Sequence, residues 1–133
     1  ATVISYETGG TFNPTQAGPV TQHGQHRGLI QFGEPQAERY GVDFSSNEAA
    51  MDTQLGTNRA VANYLTSSGF KPGMSMADLY STINAGAPGL YNRTDANNGG
   101  APGTVMDKVN SEEMAQHRAK AAALLGLTGG DNV

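Results

Sequence analysis

Ile4-Ser5-Tyr6-Glu7-Thr8-Gly9-Gly10-Thr11-Phe12-Asn13-Pro14, followed one supersecondary unit later by Gly28-Leu29-Ile30-Gln31-Phe32, decides how this chain is read. A short apolar stretch that ends on a carboxylate and is stopped by two glycines and a proline predicts a helix closing at Glu7, with the acid turned toward a cleft. The negative end of the helix dipole and the apolar neighbours Ile4, Tyr6 and Phe12 both favour the protonated acid over the anion. A general acid working near neutral pH has to be held in that state.

The rest of the chain narrows what such an acid could act on. A length of 133 residues suits one domain with a single core, here expected over residues 1–126, with a linker-like tail over 127–133. Hydrophobic residues at 37% together with 18 glycines are an ordinary globular complement. Charged residues make up 15%, well below the usual share of about 25%, so much of the surface is neutral and polar, as suits sugar hydroxyls and amides. The net charge of −4, without a basic run, argues against nucleic acid as a partner. No apolar run is long enough to span a bilayer and no basic amphipathic helix would lie on one. The absence of Cys excludes disulfides, thiolate metal sites and Cys nucleophiles together. An opening Ala and a glycine-rich end are expected of a module from a longer polypeptide or of a trimmed mature chain.

Residues 15–27 have no helical period and read as a loop or short β-hairpin. Pro35 starts a short helix over Gln36–Tyr40. Ser46 or Asn47 caps a helix expected to run to about Ser67, with Met51, Leu55, Ala62 and Leu65 on one face and Val61 and Tyr64 beside them. Ser75 caps another, in which Met76, Leu79, Tyr80 and Ile83 share a face and Asn84 comes at the carboxyl end. Residues 85–103, rich in Gly, Pro and Asn, are expected to form a functional wall. The last helix is capped by Ser111 and ends near Leu125. The expected fold is therefore mainly α, with a cleft and one hairpin or loop wall.

Glu7-Thr8-Gly9-Gly10-Thr11-Phe12-Asn13-Pro14 followed by Gly28-Leu29-Ile30-Gln31-Phe32 resembles the Glu-Ser…Gly-Leu-Met-Gln pattern of lysozyme-like lytic transglycosylases, which cleave the glycan of bacterial peptidoglycan. Ser81-Thr82-Ile83-Asn84-Ala85-Gly86 is a weaker echo of the family's Ala-Tyr-Asn-x-Gly string on the far wall of the cleft. The resemblance implies a lysozyme-like fold and cleavage of the β-1,4 bond between N-acetylmuramic acid and N-acetylglucosamine. It implies one Glu acting first as acid and then as base, closing a 1,6-anhydro ring, with no cofactor or metal. It also implies glycan strands as the partner and a periplasmic, cell-wall or virion-associated setting. Carried onto this chain, the catalytic residue is Glu7, and the substrate-binding candidates are Thr8, Gln31, Tyr80, Asn84 and Tyr91. Thr8 stands where the family has Ser. Ile83 stands where it commonly has Tyr, so Tyr80 or Tyr91 has to supply the sugar-facing hydroxyl.

Glycosidases that retain or invert configuration use two carboxylates. Between Glu7 and Glu34 the chain has neither Asp nor Glu, so a single-acid mechanism is expected. Glu34 and Glu38 are rivals for the acid, but Glu34 precedes Pro35 near a helix start, where the anion is stabilised. Gln31 could equally satisfy loop backbone, and Asn84 could merely cap its helix. His23, His26 and His117 lack metal-ligand spacing. Asp95-Ala96-Asn97-Asn98-Gly99-Gly100 lacks the acceptors of a calcium loop and reads as a turn. Two other readings stay open, a hydrolase of goose-lysozyme type and a non-catalytic glycan-binding module of a virion or envelope assembly.

Overall fold

The computed structural model describes residues 1–94 and 103–126. In chain order these form α1 (Thr2–Glu7), the antiparallel strands β1 (Ala17–Thr21) and β2 (Gly24–Arg27), α2 (Glu34–Tyr40), α3 (Asn47–Gln54), α4 (Ala60–Ser67), α5 (Met76–Ala85), α6 (Val105–Val109) and α7 (Glu112–Leu125). The architecture is mainly helical with one two-stranded sheet. Among the described residues no helix is long and apolar enough to cross a membrane. The Asp95–Gly100 segment and the tail 127–133 lie outside the described residues.

Serine caps set three helix starts. The Oγ atoms of Ser46, Ser75 and Ser111 accept from the backbone N–H of Ala49, Asp78 and Met114 at 3.0, 3.1 and 3.0 Å, each satisfying a donor that the helix itself leaves unpaired. α6 was not expected. Its signal is a reciprocal box, in which Thr104 Oγ1 accepts from the Asp107 N–H at 3.1 Å and Asp107 Oδ2 accepts from the Thr104 N–H at 3.0 Å. Those bonds hold the Asp107 carboxyl below its usual range.

The single helix expected over 46–67 is two. Gly56 and Asn58 take φ of 119° and 61°, outside the right-handed helical region, and the chain turns between α3 and α4. The apolar face read across the break does not go inward at its first half, since Met51 and Leu55 are 37% and 43% exposed. α3 buries Ala50 and Gln54 instead. The Gln54 amide, fully buried, accepts from the Leu29 N–H at 2.8 Å and donates to the carbonyls of Pro14 and Ala50 at 2.7 and 3.0 Å. It thereby ties together the loop before β1, the loop after β2 and its own helix. Gly28 has to be glycine here: its φ is 95° and a Cβ would lie 2.4 Å from Gln54 Oε1.

Two apolar clusters share the core. Ile30, Phe32, Ala37, Ala60 and Tyr64 form one, with Ile4 packed against it. Val3, Tyr80, Val105 and Met114 form the other, with Tyr6 against it, and Ile83 touches both. α1 thus reaches into each cluster. It also lies along α7, where Ser5 Oγ meets His117 Nδ1 at 2.8 Å and the Tyr6 and His117 rings meet edge to face at 5.5 Å. Burial holds His117 below the ordinary histidine value of 6.5, against an opposing pull from Glu113 and with a smaller push from Lys120.

Gln54→Leu should strand the Leu29 N–H and the Pro14 carbonyl, and is expected to cost roughly 2–4 kcal/mol in urea denaturation. Leu55→Ala, on the exposed side of the break, should cost less than about 0.5 kcal/mol. The lowered His117 value makes the unfolded chain the stronger proton binder below pH 6.5. Its contribution to stability is therefore complete above 6.5 and is lost as pH falls from there through the lower folded value. His117→Gln should flatten that part of a stability–pH curve.

Candidate active site

An open hollow of about 760 Å³ lies where the two clusters part, with Ile30 and Tyr64 on one side and Tyr6, Tyr80 and Ala85 on the other. Its size is that of a ligand cleft. Glu7, the last residue of α1, lines it. Tyr80 and Asn84 of α5 line it as well, and the hairpin and the loop after it supply Gly18, Thr21, His26 and Gln31. Four of the expected residues, Glu7, Gln31, Tyr80 and Asn84, therefore come together on one cavity.

Thr8 and Tyr91 are placed differently. Thr8 is buried, its hydroxyl donating to the Ile4 carbonyl at 2.7 Å and accepting from the Phe12 N–H at 3.0 Å. It braces the turn that follows Glu7, and its side chain is not among the described lining of the cleft. Tyr91 packs on the second cluster and donates its hydroxyl to Asp78 Oδ1, away from that lining. That hydrogen bond to Asp78 is the main reason the Tyr91 phenol titrates higher than usual.

Tyr64 holds the place near the acid that no sequence signal indicated. Its hydroxyl donates to the Thr82 carbonyl at 2.8 Å, joining α4 to α5 at the cleft. Burial pushes this phenol above its ordinary value of 10.0, Ser68 pulls against the rise, and Tyr40 and the negative charge of Glu7 add to it. Glu7 is thus within electrostatic reach of Tyr64. Lys108 of α6, 5% exposed, lines the same hollow and was likewise not anticipated. Tyr64 looks in sequence like an ordinary member of a helix face, and Lys108 falls in a stretch where no helix was expected.

The hairpin wall is stiffened by side chains turned onto backbone. Gln31 sits at φ 59°, with its amide nitrogen donating to the carbonyls of Gln16 and Gly28 at 3.0 and 2.9 Å. Its Oε1 is buried without a hydrogen-bond partner, against Gly18, where a Cβ would lie 1.8 Å from it. His26 Nδ1 meets the Gln31 carbonyl at 2.9 Å and Nε2 meets Thr21 Oγ1 at 2.8 Å. A carbonyl can only accept, so Nδ1 carries the proton and, in the neutral ring, Nε2 accepts from the threonine hydroxyl.

Glu34, the rival acid, is committed to the hairpin. Its Oε2 accepts from the Gln25 N–H at 3.0 Å and fills the space beside Gly24, where a Cβ would lie 1.5 Å away. Glu38 is exposed and does not line the hollow among the described residues. Among the described residues no three His, Asp or Glu side chains are grouped so as to hold a metal ion. Comparison of the chain with protein-family models, with curated proteins and with solved structures gave no match. The case for function therefore rests on the residues of the cleft.

Gly18→Ala should push the Gln31 amide off its two carbonyls and cost about 1–3 kcal/mol in thermal or urea denaturation. In a Gln31→Ala background the same change should cost much less, so a double-mutant cycle is expected to be strongly non-additive.

Proposed function

We propose that this chain is a lytic transglycosylase of lysozyme-like fold, cleaving the β-1,4 bond between N-acetylmuramic acid and N-acetylglucosamine in peptidoglycan. The observation that carries the reading is that the described lining of the cleft holds one carboxylate, Glu7. Two-carboxylate hydrolysis needs a second acid to attack the sugar or to activate water, and neither the hairpin wall nor α5 offers one to this cleft. A nucleophile within the substrate removes that need.

Glu7, protonated, gives its proton to the glycosidic oxygen as the bond from that oxygen to the muramic C1 breaks. The muramic C6 hydroxyl then attacks C1, and its proton passes to the Glu7 carboxylate. A 1,6-anhydro ring closes and the acid is regenerated, each half-step leaving Glu7 in the state that the other requires. Tyr64, Tyr80 and Ile83 supply apolar surface beside the acid, and Asn84 lies where an N-acetyl amide could be hydrogen-bonded. The lysozyme-like reading is supported by the helix that ends on the acid, the hairpin wall and the Gly28–Phe32 loop facing it. The setting that follows is extracytoplasmic, in periplasm, cell wall or virion, with glycan strands as the partner.

Glu7→Gln keeps the shape of the side chain but cannot exchange a proton. Cleavage of purified sacculi, followed by zymography, should fall by at least about a hundredfold, with an unchanged circular dichroism spectrum. A fall of less than about tenfold in a folded protein would contradict the assignment.

A further inference from the structure

The hollow that holds Glu7 does not end at Tyr64. A second hollow, of about 300 Å³, shares Pro35, Gln36, Tyr64 and Gly86 with the first and runs on over α2 to Arg39 and Tyr40. Four shared lining residues make the two hollows adjoining parts of one groove, with Arg39 in the part next to the Glu7 cleft.

Charge is sorted along that groove. The chain as a whole is acidic, with 12 Asp and Glu against 8 Lys and Arg. Yet among the described residues lining the two hollows, Glu7 is the sole carboxylate and stands with Lys108 and Arg39. Four of the other acids are engaged elsewhere, Asp43 with the Ser45 N–H, Asp78 with the Gly89 N–H, Asp107 with its helix cap and Glu34 with the hairpin turn, while Glu38, beside Arg39 in the chain, is exposed and lines neither hollow. A groove more basic than the surface around it concentrates anions. The Arg39 guanidinium lies 5.4 Å from the centre of the Tyr40 ring, and among the described residues no ion pair engages it. A guanidinium held on an aromatic face keeps its planar set of donors available for a two-point grip on a carboxylate.

We infer that Arg39 is a carboxylate subsite of the Glu7 cleft. The inference rests on the peptidoglycan-cleaving reading and adds to it the residue that grips a carboxylate borne by the muramoyl substituents of the strand. The carboxylate can come from the lactyl group of a bare strand or from a peptide attached to it.

The test measures binding. Wild-type protein and Arg39→Gln are titrated against three glycans of matched length: strands carrying stem peptides, strands stripped of peptide by an amidase, and neutral N-acetylglucosamine oligomers. The substitution is expected to weaken binding to an acidic strand by about three- to tenfold, to leave the neutral oligomer unchanged, and to be partly rescued in Arg39→Lys. The wild-type preference for acidic strands should fall with added salt. Loss on peptide-bearing strands alone assigns the carboxylate to the peptide, and loss on stripped strands alone assigns it to the lactyl group. An equal change on all three glycans, or no change on either acidic strand, overturns the subsite and leaves the Glu7 reading standing. A wild-type chain that binds none of the three overturns that reading and this one with it.

Discussion

A helix of six residues cannot hold itself together in water, because the cost of its first turn is never recovered over so short a length. α1 exists because it is packed on several sides. Thr2, Val3 and Ser5 are buried, Ile4 reaches the cluster around Tyr64, and Val3 and Tyr6 reach the cluster around Tyr80. α7 closes over it through Met114 and His117. No side chain caps its start, so packing sustains the helix, while the left-handed turn at Gly9 and Gly10, with φ of 63° and 84°, stops it. Its end is Glu7, and the buried Thr8 hydroxyl then holds the turn that follows. The position of the acid is thus a consequence of how two cores are wedged apart, and the cleft is the space that the wedge leaves.

Buried polar groups joined to backbone brace the walls of that space. Gln54 anchors the loops on either side of the hairpin, Tyr64 ties α4 to α5 through the Thr82 carbonyl, and Ser81 fixes the chain beyond α5 by donating to the Ala87 carbonyl at 2.6 Å. Buried side chains satisfied in this way specify one arrangement, since any other leaves them unpaired in a medium of low dielectric. A surface low in charge and a groove lined by amides, hydroxyls and rings follow from the same composition. That chemistry suits a sugar strand.

How much of this was legible in the sequence depended on whether the signal was local. Caps and turns are local, so the helix end at Glu7, the hairpin, the starts at Ser75 and Ser111 and the placement of Asn84 could all be read from a few neighbouring residues. The break at Gly56 and Asn58 was overridden by an apolar period running through it, although Met51 and Leu55 proved to face solvent. The Thr104–Asp107 box was present in the sequence and would have found α6. Gln54 could not be found that way: its partners Pro14 and Leu29 are distant in the chain, and a glutamine on a helix ordinarily faces water. Tyr64 and Lys108 are the same case, each brought to the cleft that holds Glu7 by the packing of a helix remote from it in sequence.

If one acid serves the cleft, the attacking oxygen belongs to the sugar and no water is added across the broken bond. Mass analysis of the fragments that the wild-type protein releases from purified sacculi tests this directly. The account predicts muramic ends that each lack one water relative to a hydrolysis product, the mark of a 1,6-anhydro ring. Ordinary reducing muramic ends would contradict it, since a second group would then have to activate water opposite Glu7.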